Sequence, residues 1–185
     1  IQAAQTIALH EEHQQLEPTH ILKALLDDPE GLSSNLIVRS GGDLTRVREY
    51  NDAEIAKMPK IKGDNVQIVL DRVTAKVISE AEQLAIKAKD QFVTVEKLLT
   101  ALSLVKSGAK FALEKGNLSA QSLNVAIEDI RKGRIANSQT AEDGYEALEK
   151  YAQDLTKAAR LGNIDPIIGR DDEIRRAMQV LSRRT

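Results

Sequence analysis

The chain has 185 residues, 42% apolar and 29% charged, with a net charge of -2, no cysteine and an aromatic content of only 3%. That balance is one of a folded chain large enough for one ordinary domain plus an appendage, and it excludes disulfides, thiol chemistry and cysteine-based zinc sites. It also argues against a broad basic field for nucleic acid and against aromatic stacking platforms. No apolar run reaches the roughly 18 residues of a membrane span and no basic-then-apolar leader opens the chain, so the expected location is cytoplasmic, with neither membrane nor nucleic acid as partner.

Taken from the N-terminus, the segment AAQTIALHEEHQQLEPTHILKAL (3–25) lies over EAEQLAIKAKDQFVTVEKLLTAL (80–102) at a constant shift of 77 without a gap. Ala4 meets Ala81, Ala8 meets Ala85, Gln14 meets Gln91 and Leu22 meets Leu99. This is an internal duplication. Each copy reads as helix, polar break, helix, with Pro18 at a first helical position in one and Thr94 as a cap in the other. Gly-Gly-Asp-Leu at 41–44 and Gly-Asn-Leu-Ser at 116–119 are matching stop-and-restart signals, with Asp43 and Ser119 as caps. The unit therefore has about four helices, the later ones expected over 33–40 and 43–57 in the first copy and over 109–115 and 119–132 in the second. The stretch 60–69 joins the copies.

Residues 133–144 lack periodic apolar positions and read as a flexible linker. Periodicity resumes in YEALEKYAQDLTKAARLG, where Gly162 closes a helix. Pro166 then forces Asp165 out of helical geometry, Ile167 and Ile168 form an apolar extended step, Gly169 permits a turn, and Asp171 caps a last helix. The three divisions are thus 1–132, 133–144 and 145–185, in an all-α fold.

With these residues in place, the whole chain resembles the N-terminal part of the ClpB-type disaggregases, two-ring AAA+ chaperones of the Clp family. HILKALL and KLLTAL are similar to the double helical repeat of the Clp N-domain. SQTAEDGYEALEKYAQDLT and DPIIGRDDEIRRAMQVLSRRT are similar to the linker and the entry to the first ATPase domain. The resemblance implies a region that recruits unfolded or aggregated polypeptides to a homohexameric, ATP- and magnesium-dependent ring working with Hsp70-type chaperones. The ClpC and ClpA unfoldases share the DP-x-IGR entry and stand as the alternative, as does a free-standing helical adaptor. The start at Ile1 and the end at Thr185 are read as truncation, before the phosphate loop that the resemblance places downstream.

No GxxxxGK[ST] occurs in the sequence, so no catalytic residue and no cofactor is expected in this region itself. The resemblance implies that Asp165, Pro166, Ile167, Ile168 and Gly169 line the adenine side of the parent's nucleotide pocket. It also implies that Asp90 and Glu96 are acidic positions beside a face offered to unfolded polypeptide, rimming a shallow apolar groove. Phe92, between them, reads as a core residue. His10, His13 and His20 read as exposed polar histidines without the geometry of a metal site, and no metal is expected.

Overall fold

In the computed structural model, residues 1–27, 31–61, 68–131, 136, 160, 162 and 169–181 are described. The first four helices are α1 (Gln2–His10), α2 (Pro18–Leu26), α3 (Leu32–Arg39) and α4 (Leu44–Ala56). Their counterparts are α5 (Arg72–Lys87), α6 (Val95–Leu104), α7 (Gly108–Lys115) and α8 (Ala120–Arg131). The all-α expectation holds, with one small addition: β1 (Gln15–Leu16) pairs in parallel with β2 (Val69–Leu70).

The duplication extends to single hydrogen bonds. At the end of α1 the His13 N–H donates to the Ala8 carbonyl and the Glu12 N–H to Leu9; at the end of α5 the Asp90 N–H donates to Ala85 and the Lys89 N–H to Ile86. Both are Schellman closures, which require a left-handed residue just past the helix. Glu12 at φ 61° and Lys89 at φ 60° take that conformation. The same closure recurs at Gly41 (φ 79°) and Asn117 (φ 61°), now at a shift of 76. Asp43 accepts the Arg46 N–H and Ser119 accepts the Ser122 N–H, as expected of caps, whereas Thr94 occupies the cap position without a side-chain bond.

Small residues let the helical hairpins close. Ala4, Ala8, Ala81 and Ala85 are all buried, on the faces α1 and α5 turn toward α2 and α6. The halves are interlocked as well as similar, because α7 lies against α4 and α2 while α3 lies against α8 and α6. Gly116 marks the tightest approach. A Cβ there would stand 2.2 Å from Val47 Cγ2, and its carbonyl accepts the Asp43 N–H at 2.8 Å. Leu22, Ile37, Val47, Leu99, Leu113 and Leu123 fill the shared core and are fully buried.

The chain divides into two compact units, Ile1–Tyr145 and Glu146–Thr185. In the second, the described helix α9 runs over Asp171–Leu181, with Asp171, Asp172 and Glu173 in its first turn, where the helix dipole favours acids. Asp171 is therefore the first helical residue and not the cap. Gly169 has φ 78° and makes the expected turn. Asp165, Pro166, Ile167 and Ile168, and most of the helix expected before Gly162, lie outside the described residues.

Candidate functional site: the junction of the second repeat

The break between α5 and α6 is held by a buried ion cluster. Arg131, from the last turn of α8, donates from Nη1 to Asp90 Oδ1 at 3.0 Å and from Nη2 to Asp90 Oδ2 at 2.6 Å. Its Nε donates to Glu96 Oε1 at 2.7 Å, and a longer 3.4 Å contact from Nη2 reaches Thr94 Oγ1. The side chains of Arg131, Asp90 and Glu96 are 9%, 0% and 2% exposed. One guanidinium thus faces two carboxylates out of water, a geometry in which planar bidentate pairing offsets desolvation. Half-buried Lys97 adds a second cation; burial, and then the Arg131 charge, holds its ammonium below the usual lysine range.

This placement corrects the expectation of carboxylates rimming an open groove. Asp90 and Glu96 do meet at the junction, but they point inward onto Arg131, and neither presents a charge to solvent. Phe92 is corrected in the opposite sense, being 43% exposed, with Val93 at 47%. The apolar surface of the junction is therefore the Phe92–Val93 step, with Ile86 also exposed on the last turn of α5. The carboxylates lie beneath it.

The cluster also fastens the chain that follows α8. Ala136 is buried; its N–H donates to Asp90 Oδ1 at 2.9 Å and its carbonyl accepts the Gln91 N–H at 3.0 Å. At this residue the stretch expected as a free linker is docked onto the junction.

In the first repeat, the positions of Asp90 and Glu96 belong to His13 and Thr19. The inner stripe Val47, Asn51, Ile55 of α4 matches Leu123, Ile127, Arg131 of α8, so Ile55 stands where Arg131 does. The expectation of exposed histidines is corrected for His13 and His20, which are 2% and 0% exposed; His10 is exposed. His20 Nδ1 accepts the Glu17 N–H at 3.0 Å, so its own N–H sits on Nε2 and donates to His13 Nδ1 at 2.9 Å. Burial, with His13 adding to it, pushes His20 down to about 4; burial also lowers His13. Both rings are therefore neutral near neutral pH, His20 as part of the cap of α2 and His13 as its hydrogen-bond partner. Among the described residues no group of His, Asp and Glu has the arrangement to hold a metal ion.

The model of the Clp repeat (R) N-terminal domain matches residues 1–116. The chain belongs to the Clp repeat N-terminal domain family. Chaperone protein ClpB of Agrobacterium fabrum is 56% identical over 186 residues, covering 100% of this chain and 21% of that protein. ClpB of Rickettsia bellii is 40% identical over 181 residues, 97% of this chain and 21% of that protein. The chain thus spans about a fifth of the length of these relatives. Among solved structures, the Hsp104 N-terminal domain from Candida albicans superposes with a TM-score of 0.64 at 18% identity, covering 74% of this chain and 89% of that one. The ClpV1 N-terminal domain of Escherichia coli gives 0.55 at 20%, covering 67% and 76%. These two show the shared Clp N-domain fold.

The exposed step was missed from sequence because Phe92 is one of only two phenylalanines in an aromatic-poor chain and so reads as core. Arg131 was missed because it lies 41 residues from Asp90, at a position whose first-repeat counterpart, Ile55, is apolar. A basic residue closing the otherwise apolar stripe Leu123, Ile127, Arg131 was the available signal.

Proposed function

We propose that this chain is the substrate-recruiting region of a ClpB-type, ATP-dependent disaggregase, and that it holds non-native polypeptide at the junction of its second repeat. The observation that carries the reading is the exposed Phe92–Val93 step, fixed on a buried ion cluster in a fold shared with ClpB and Hsp104 N-domains. An apolar step held rigid loses little entropy on binding and selects for exposed apolar segments without reading a sequence. Asp90 and Glu96 serve the site by setting the path of the loop. In the intact protein, ATP and magnesium would be handled by the ATPase domains, with Asp165 to Gly169 on the adenine side of the first. A cytoplasmic homohexamer cooperating with Hsp70-type chaperones completes the proposal.

The test is fluorescence anisotropy with a labelled, reduced and carboxymethylated model protein that stays unfolded under native conditions. The chain should bind it and ignore the same protein in its folded, disulfide-intact form. Equal binding to both forms, or to neither, sinks the recruiting role.

A further inference from the structure

The two repeats also pack on each other through a pair of equivalent contacts, and only one of the pair is closed. At the shift of 76, α3 corresponds to α7 and α4 to α8, so α4 against α7 and α8 against α3 are one contact made twice. On the closed side Tyr50 and Phe111 meet edge to face, with ring centroids 6.0 Å apart and planes at 83°. Lys115 Nζ lies 5.3 Å from the centre of the Phe111 ring. Gly116 lets the backbones approach, and its carbonyl takes the Asp43 N–H.

On the other side each of these residues is different. Ala126 stands for Tyr50, Asn35 for Phe111, Arg39 for Lys115 and Ser40 for Gly116. Ser40 has the backbone of Gly116, φ -76° against -82°, but carries the Cβ for which the closed side has no room. Ser119, the counterpart of Asp43, gives its N–H to Ser122 Oγ at 3.3 Å rather than to the Ser40 carbonyl. With both rings replaced and the close approach blocked, a groove of about 670 Å³ remains between α3 and α8. Arg39, Ser40, Ser122, Val125, Ala126 and Asp129 line it, and Val125 is 64% exposed.

We propose that this groove seats an aromatic side chain of a non-native polypeptide, in the space that Tyr50 and Phe111 fill on the closed side. This rests on the recruiting role above and adds a second contact to it, along the part of α8 that precedes Arg131. The closed side is the pattern for the guest: its ring would lie over Ala126, and the Arg39 guanidinium would take the place of Lys115 at the negative face of the ring. The Ser122 hydroxyl and the Asp129 carboxylate at the rim can accept hydrogen bonds from the guest's amides. Aromatic side chains are largely buried in folded proteins, so a seat for one selects for chains that have lost their fold.

The probe is the capped peptide Gly-Ser-Phe-Ser-Gly against its cyclohexylalanine analogue, which keeps the bulk of the ring and loses its π face. Each is titrated into the full isotope-labelled chain and followed by amide shifts. Shifts centred on Ser40, Val125 and Ala126, with the Phe peptide bound at least about twofold tighter and that preference erased by Arg39→Gln, support the proposal. Arg39 is exposed, so this variant should keep the parent's urea midpoint. Ala126→Tyr, which rebuilds Tyr50 inside the groove, should remove the shifts; if that variant does not fold, the ring preference and its loss in Arg39→Gln decide. Equal binding of the two peptides, a preference that survives Arg39→Gln, or shifts centred elsewhere overturns the aromatic seat. The labelled unfolded model protein should also bind Arg39→Gln more weakly than the parent. Unchanged binding overturns the groove's part in recruitment and leaves Phe92–Val93 standing, whereas an unfolded protein that ignores the parent sinks the recruiting role itself.

Discussion

Arg131 grips Asp90 through two parallel hydrogen bonds, and Asp90 in turn accepts the Ala136 N–H on the oxygen that Arg131 Nη1 occupies. One side chain thus ties the end of α8, the break after α5 and the segment beyond α8 to a common point. The cluster is a keystone of the junction, and removing its cation would leave two buried carboxylates facing each other.

The first prediction is that Arg131→Ile destabilises the domain by about 3–5 kcal/mol in urea unfolding, as for other buried charges stripped of a partner. The first repeat supplies the remedy, because the same three positions there hold His13, Thr19 and Ile55. The triple variant Asp90→His, Glu96→Thr, Arg131→Ile should be more stable than Arg131→Ile alone. A triple variant less stable than the single would show that the two junctions are not physically equivalent. Charge reversal at Asp90 and Glu96 is for the same reason a folding lesion, and weakened binding by such a variant would say nothing about recruitment.

The second concerns acid. His20 and His13 are held below the ordinary histidine value of 6.5, His20 to about 4. The unfolded chain therefore takes up protons first as pH falls, so the contribution is complete above about 6.5 and is lost progressively down to about 4. For a shift of that size the loss is on the order of 3 kcal/mol. Urea midpoints should fall across this window, and the double variant His13→Gln, His20→Asn should show a flatter profile there. A parent profile already flat between pH 6.5 and 4 would contradict the neutral-pair assignment.

The third addresses the interlock. Gly116→Ala places a methyl group against Val47 and the Asp43 carbonyl, where the structure has no room. The expected loss is about 1–3 kcal/mol, with no effect of a left-handed backbone because φ here is -82°. Gly41→Ala meets no neighbour, but sits at φ 79°, and should lose about 1 kcal/mol through backbone strain alone. Adding Val47→Ala should rescue the first variant in part and the second not at all.

The repeat architecture was legible because its signal is redundant. Ala4, Ala8, Leu22 and their partners recur at one shift, and each is buried because hairpin closure demands small or branched apolar residues there. Asp43 and Ser119 were legible as caps because capping is a local matter of one side chain and one turn. The left-handed Glu12, Lys89 and Asn117 were not, since no glycine marks them; their conformation is imposed by the Schellman bonds around them. The site was half legible. Asp90 and Glu96 do flank the break between α5 and α6, but their direction depended on Arg131, and charge alone does not tell a solvated rim from a buried pair. Phe92 was misassigned because hydrophobicity predicts burial only when a partner exists to supply it, and the partner strand of the first repeat, β2, has no counterpart among the described residues beside Phe92.

The most direct measurement is the affinity of the labelled unfolded model protein for the parent chain against Phe92→Ser plus Val93→Ser. Both side chains are half exposed, so the urea midpoint of the double variant should stay near the parent's. The account predicts binding weakened at least about fivefold with folding preserved, through loss of apolar contact area. A folded double variant that binds as tightly as the parent would contradict the assignment of recruitment to this junction.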